Sequence, residues 1–207
     1  LTSIQGYLET VSLKFDQLSE ADRSRYLHIA LTQSEKVSLL VQNLFELAKL
    51  EYGVIAPQYQ RFSLPDLVSE VLQKFELKIE QHNLYFTQLI SPDLPLINAD
   101  LSMMERILTN LVANATRHTP DNGSITLRAW CQEKNVMLEL LDSGPGISPE
   151  LKCTLFERPS IQDPNSRDNG GLGLIIVRRM LQLHQGDIQL IEAPGACFRF
   201  FIPITPT

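Results

Sequence analysis

Positive charge is in short supply. Lysine and arginine number 18 against 24 aspartates and glutamates, which leaves a formal net charge of −6 and a pI near 5.2. With no basic cluster to offset that balance, a nucleic-acid-binding surface is excluded. Cysteine is scarce as well. Cys131, Cys153 and Cys197 are odd in number, widely spaced and free of any CxxC pair. That pattern excludes a disulfide framework and a cysteine metal site, and it reads as free thiols in a reducing compartment. No apolar run approaches the length of a membrane span, and no signal peptide opens the chain. A soluble, cytoplasmic chain is expected, with any membrane anchor of a parent protein lying upstream of Leu1. Internal repeats and low-complexity tracts are missing too, and 207 residues suffice for one domain with a large core or two smaller ones.

What is present begins with helical periodicity. Leu1, Ile4, Leu8, Val11 and Phe15 are spaced three, four, three, four, the seam of a bundle helix. Ser19 followed by Asp22 resembles a capping box that opens a second helix, with Tyr26, Ala30, Val37, Leu40, Leu44 and Leu47 on the same spacing, running to about Glu51. A two-helix hairpin with one apolar seam cannot bury itself alone. Pairing with a second copy as a four-helix bundle is the expectation; packing on the rest of this chain is the alternative.

Residues 52–61 contain Gly53 and Pro57 and no helical period, which marks a linker that can end in a short strand. Ser63 with Asp66 then caps a helix whose apolar positions are Leu67, Val71, Leu72, Phe75 and Ile79. Strands are expected at residues 84–90 and 96–98, then at 124–131 and 136–141 after Asn122-Gly123. A helix near residues 172–184 and strands at 187–192 and 197–203 close the chain. Helices mixed with largely antiparallel strands predict an α+β architecture, one sheet with helices on one face, preceded by the hairpin.

Three stretches carry chemistry. In residues 105–120, Asn110, Asn114 and His118 recur every four residues and form one polar line on a helix whose apolar face is Met104, Ile107, Leu108, Leu111, Val112 and Ala115. Carboxamides on a partly buried helix need hydrogen-bond partners, and their neutral oxygens suit a hard cation such as Mg²⁺. Asp142 ends an apolar strand and is followed by Gly144 and Gly146. A carboxylate there can accept hydrogen bonds from an exocyclic amine, and glycines let backbone approach a flat ring; a Gly/Pro turn with Asp142 as its cap reads the same fragment. Finally, Gly171, Leu172 and Gly173 open the last helix, where unpaired N–H groups and the positive end of the helix dipole suit phosphate. Between the last two stretches, residues 160–168 have the polar composition of a mobile lid or of an ordinary surface loop.

The order of these pieces is informative. Asn110-x-x-x-Asn114, Asp142-x-Gly-x-Gly146, Phe156 and Gly171-x-Gly173 resemble the N, G1, F and G2 boxes of sensor histidine kinases, and the upstream hairpin is similar to that family's dimerisation and phosphotransfer domain. The resemblance implies three segments. Residues 1–51 would form the hairpin of a homodimer, 52–61 a linker, and 62–207 an ATP-binding α/β sandwich of the histidine kinase, Hsp90 and gyrase B type. It further implies that Asp142 holds the adenine amine, with Gly144 and Gly146 at the base. Asn114 would ligate Mg²⁺, and Asn110, Arg117 and His118 would face the phosphates. Gly171, Leu172 and Gly173 would donate backbone N–H groups, and Phe156 would anchor the lid. A response-regulator receiver domain is the implied partner.

Hydrolytic relatives place a glutamate base where Asn110 stands, and an amide cannot take a proton from water, which favours transfer over hydrolysis. The family's phosphoacceptor stretch ends in a leucine that Leu1 matches, so the acceptor histidine is expected just upstream. None of His28, His82, His118 or His184 replaces it, and this chain alone is not expected to phosphorylate itself. Pro159, Asn169 and Gly170 depart from the family's usual residues. Two alternatives stand beside this reading: a degenerate signalling scaffold, and an anti-sigma-type serine kinase on the same fold.

Overall fold

The computed structural model describes residues 2–157 and 172–204. The chain divides into two compact units, Leu1–Ala48 and Lys49–Thr207.

The first unit is helical, with α1 spanning Thr2–Leu13 and α2 spanning Glu20–Glu51 and so running on into the second unit. The capping box forms as expected: Ser19 Oγ accepts the Asp22 N–H at 3.1 Å and donates to the Asp22 carboxylate at 2.7 Å. Phe15 was expected on the α1 seam but lies beyond the helix, in the turn, with the Arg23 guanidinium 4.5 Å over its ring. A cation on an aromatic face offers the ring a local partner in place of a seam contact. Tyr7 and Tyr26 pair across the hairpin with ring centroids 5.7 Å apart. Leu39, Leu40, Leu44 and Phe45 are exposed.

The second unit is the α+β layer. Strand β1 (Tyr59–Phe62) leads to α3 (Leu64–Gln73), α4 (Glu76–Gln81) and β2 (Tyr85–Ile90). Then come β3 (Ile97–Asp100), α5 (Leu101–His118), β4 (Ser124–Gln132), β5 (Asn135–Asp142) and the one-turn α6 (Pro149–Lys152). Helix α7 (Leu172–Leu183) and strands β6 (Asp187–Ile191) and β7 (Cys197–Pro203) complete it. Three details differ from the sequence reading. The helix after Ser63 is broken in two, because the Phe75 N–H reaches back three residues to Leu72 at 2.9 Å; the tightened turn buries Phe75 and ends the α-helical register. The described residues form two sheets, not one: β1 and β3 form an antiparallel pair, and the main sheet has the order β2-β4-β5-β7-β6. Within that sheet β2 and β4 run parallel, since α5 lies between them in the chain and supplies the crossover that parallel strands need.

Alternation along the central strands gives the core its inner face. Ile125, Leu127, Ala129, Val136, Leu138 and Leu140 are buried, as are Met104, Ile107, Leu108 and Leu111 of α5, which packs on β5 and α7, and Ile176, Val177 and Leu181 of α7, which packs on α5 and β6. On the opposite face Glu139 is buried all the same, because Arg128 and Arg199 flank it at 3.2 and 2.6 Å, and Arg199 also lies over Trp130. Among the described residues no helix is long and apolar enough to cross a membrane, and Cys131, Cys153 and Cys197 are free thiols.

Candidate functional site

Helix α5 is fixed at both ends. Asp100 is its N-cap, with Oδ1 accepting the Met103 N–H at 3.0 Å and Oδ2 accepting the Gln58 N–H at 2.8 Å. The Asp100 N–H in turn donates to His184 Nε2 at 3.0 Å, and His184 Nδ1 donates to the Met180 carbonyl at 2.8 Å. His184 is therefore a neutral, buried connector between the start of α5 and the end of α7. The sequence reading gave it no role beyond ending the last helix. His28 and His82 are exposed, and His82 pairs with Asp121 at 2.8 Å.

With its apolar face in the core, α5 presents Asn110 and Asn114 half-buried, and Arg117 and His118 exposed in its last turn. Asn110 Nδ2 is buried and has no hydrogen-bond partner among the described residues. A Cβ built on Gly173 would stand 3.8 Å from Asn110 Oδ1, so the opening of α7 lies beside this amide. Sixty-odd residues separate the two in the chain, and the packing of α5 on α7 brings them together. The first N–H groups of a helix have no intrahelical acceptor, so Leu172 and Gly173 add donors next to the stranded Asn110 amide. Gly171 and residues 160–168, together with Pro159, Asn169 and Gly170, lie outside the described residues.

Asp142 ends β5 and is buried. Its Oδ1 accepts the Gly144 N–H at 2.9 Å and the Ala196 N–H at 3.2 Å, while its own N–H donates to the Ala196 carbonyl at 3.0 Å. Neither N–H uses the lone pairs of Oδ2. Burial raises the carboxyl pKa above its ordinary 3.8, opposed by the two backbone hydrogen bonds and by attraction to His118. The neighbouring glycines are needed for close packing as well as for access. A Cβ on Gly144 would come within 2.6 Å of the His118 carbonyl at the end of α5, and one on Gly195 within 1.9 Å of the Asp142 carbonyl. Gly146 has φ +73°, a left-handed conformation that glycine adopts without strain. Gly195 and Ala196 were missed from sequence: their link to Asp142 spans 54 residues, and a single Gly between two strands reads only as a turn.

Phe156 sits at the end of the described stretch, half-buried. Its ring meets Phe198 edge-on, with centroids 6.4 Å apart and planes at 81°, and Arg178 of α7 lies 5.6 Å from its centroid. Neither partner was singled out from the sequence.

This is a sandwich of helices on a mixed sheet, with a buried carboxylate at one end of α5 and a stranded amide beside a glycine-opened helix midway along it. Residues 99–206 match the family described as histidine kinase-, DNA gyrase B- and HSP90-like ATPases, which is just over half of the chain, and the chain belongs to that family. Within it, the chain carries the catalytic domain of the sensor histidine kinases. It is 31% identical to the adaptive-response sensory kinase SasA of Synechocystis over 99% of its own length and 55% of that protein's. The chain thus spans about half the length, or less, of the curated relatives to which it is most clearly similar. Among solved structures it is similar to the Acinetobacter baumannii histidine kinase AdeS, with a TM-score of 0.81 at 25% identity over 99% of this chain and 94% of AdeS. It is also similar to the histidine kinase ThkA in complex with the response regulator TrrA, with a TM-score of 0.79 at 26% identity over 99% of this chain and 58% of that one.

Proposed function

We propose that the chain is the dimerisation and catalytic core of a two-component sensor kinase. It binds ATP with Mg²⁺ and delivers the γ-phosphoryl group to a histidine preceding Leu1, for relay to an aspartate of a response-regulator receiver domain. The observation that carries this reading is the buried Nδ2 of Asn110, without a partner among the described residues, on an amide whose Oδ1 lies beside the start of α7. A stranded donor beside free helix N–H groups fits an anionic oxygen, and the dipole of α7 adds to the fit. Asp142 fits the other end of the same ligand, because its Oδ2 can accept from the exocyclic amine of adenine while the backbone holds Oδ1. Gly144 and Gly146 line the base.

Asn114, one turn beyond Asn110, offers a neutral oxygen to Mg²⁺, which would offset charge on the phosphates. Arg117 and His118 add positive charge or donors in the last turn of α5, Leu172 and Gly173 give backbone donors, and Phe156 anchors the segment that follows it. An amide at 110 cannot take a proton from water, which favours transfer of the bound phosphoryl group over hydrolysis. The exposed Leu39, Leu40, Leu44 and Phe45 of α2 support pairing of residues 1–51 with a second copy, residues 52–61 serving as a linker to the nucleotide-binding part, 62–207. Support for the relay comes from the similarity to ThkA, whose complex holds a response regulator.

Titration calorimetry of a non-hydrolysable ATP analogue, with and without Mg²⁺, tests the nucleotide site on this chain and on Asn114→Ala. Magnesium-dependent binding that Asn114→Ala weakens is the expected result. No binding to the intact chain at millimolar nucleotide would refute the kinase reading. Extending the chain upstream and assaying acid-labile phosphohistidine then tests transfer.

A further inference from the structure

Phe156 is held from two sides, and the two sides belong to different ends of the nucleotide site. Phe198 lies two residues beyond Ala196, whose N–H bonds Asp142, so the edge-on ring contact ties Phe156 to the base end. Arg178 lies five residues after Gly173 on α7, about 7.5 Å along the helix axis, so the cation over the ring ties Phe156 to the phosphate end. Arg178 is itself oriented by an ion pair, its Nε donating to Asp187 Oδ1 at 3.1 Å where β6 begins. Both partners of that pair are more than a third exposed, so as a salt bridge it adds little stability. What it does is aim the guanidinium at the ring, where the quadrupole of the aromatic face attracts a cation.

The geometry points to Arg178, aimed by Asp187, as a positioning residue for nucleotide retention: it holds Phe156 against Phe198 and so couples the base end of the site to the start of α7. This rests on the nucleotide-binding reading above. Arg178 touches neither base nor phosphate in this scheme; it acts through Phe156.

The test is stopped-flow release of a fluorescent ATP analogue from the full chain, with the thermal midpoint of the nucleotide-free chain as a second readout. Arg178→Gln and Asp187→Asn are expected to speed release, the first by about three- to tenfold, while the nucleotide-free midpoint stays within a few degrees of wild type. Arg178→Lys keeps a cation and is expected to restore slow release. Phe156→Leu is expected to speed release alone, and adding Arg178→Gln to it should change the rate by less than about twofold, because the two act through one contact. Release rates unaltered by Arg178→Gln, or equal additive effects in the double variant, would overturn the proposal. If Arg178→Gln fails to fold, Asp187→Asn and Arg178→Lys decide in the same way. A wild-type chain that binds no nucleotide would instead fail the reading on which this one rests, and that outcome is visible before any variant is made.

Discussion

Replacing Asn110 by leucine should move stability and affinity in opposite directions. The side chains are close in shape, and the Asn110 amide, with its Oδ1 beside Gly173, carries a buried Nδ2 that has no partner among the described residues. A buried donor without an acceptor costs about 1–3 kcal/mol. Because Asn110 is only half-buried, the low end applies, and Asn110→Leu is expected to stabilise the nucleotide-free chain by about 1 kcal/mol, or about 2–4 °C in midpoint. In the proposed site the same change removes a hydrogen bond to a charged phosphate, for which about 1.5–3 kcal/mol is typical, so affinity should fall by at least about tenfold.

The two effects meet in one assay. At free nucleotide about 100 times the wild-type Kd, ligand binding stabilises wild type by about 2.7 kcal/mol, whereas a variant with tenfold weaker binding gains only about 1.4 kcal/mol. Wild type should therefore be the less stable protein without ligand and the more stable one with it. Thermal or urea unfolding of both chains with and without Mg²⁺ and the ATP analogue reads this crossing directly. If Asn110→Leu destabilises the nucleotide-free chain, the amide serves the fold and the reasoning fails. Unchanged affinity would refute the phosphate-end assignment just as firmly.

Four further variants test the same structure. Asp142→Asn should weaken ATP binding by about tenfold or more, since the amide can keep the two backbone donors on its oxygen only by turning its NH₂ toward the adenine amine. Burial raises the Asp142 pKa, so the native chain takes up a proton more readily than the unfolded one and ionised Asp142 detracts from stability near neutrality. As pH falls through the raised value toward 3.8 that penalty is released, and the midpoint of Asp142→Asn minus that of wild type should decrease on acidification. Gly195→Ala should cost about 1–3 kcal/mol or more in urea unfolding, because its methyl would meet the Asp142 carbonyl, and nucleotide affinity should fall with it. Glu139→Ala, on the far face of the sheet, should cost about 1–3 kcal/mol by leaving Arg128 and Arg199 without their shared carboxylate, yet leave nucleotide affinity within about twofold. His184→Leu should cost about 2–3 kcal/mol in the same unfolding assay by stranding the Asp100 N–H.

What could be read from sequence was what is local. The α5 stripe, the Ser19 and Ser63 caps, and the strands β4 and β5 are written at spacings of two to four residues, and each appears where expected. Strand order is not written that way. Nothing near β2 says that it lies parallel to β4, and only the crossover through α5 decides it. Side chains whose roles depend on distant partners were missed for the same reason. His184 reads as a helix-end residue until Asp100, 84 positions earlier, is seen to donate to it. Arg178 is one polar position on an amphipathic helix until Phe156 is found beneath it. The site motifs stood out because each packs several chemically specific residues into a few positions.

Helix α5 explains why core and site cannot be varied separately. Its start is bound through Asp100 to the residue before β1 and to the end of α7, and its last turn touches Gly144 through the His118 carbonyl. From Asn110 to His118 is eight residues, about 12 Å of helix axis, a span that one extended nucleotide can bridge. In the proposed site the distance between the phosphate end and the base end is thus set by the length of a single rigid element, and the tilt of that element is set by Met104, Ile107, Leu108 and Leu111 in the core. A core substitution that rotates α5 must shift Asn110 relative to Gly173 and His118 relative to Gly144 together. Such a change should weaken nucleotide binding even where the folded state survives.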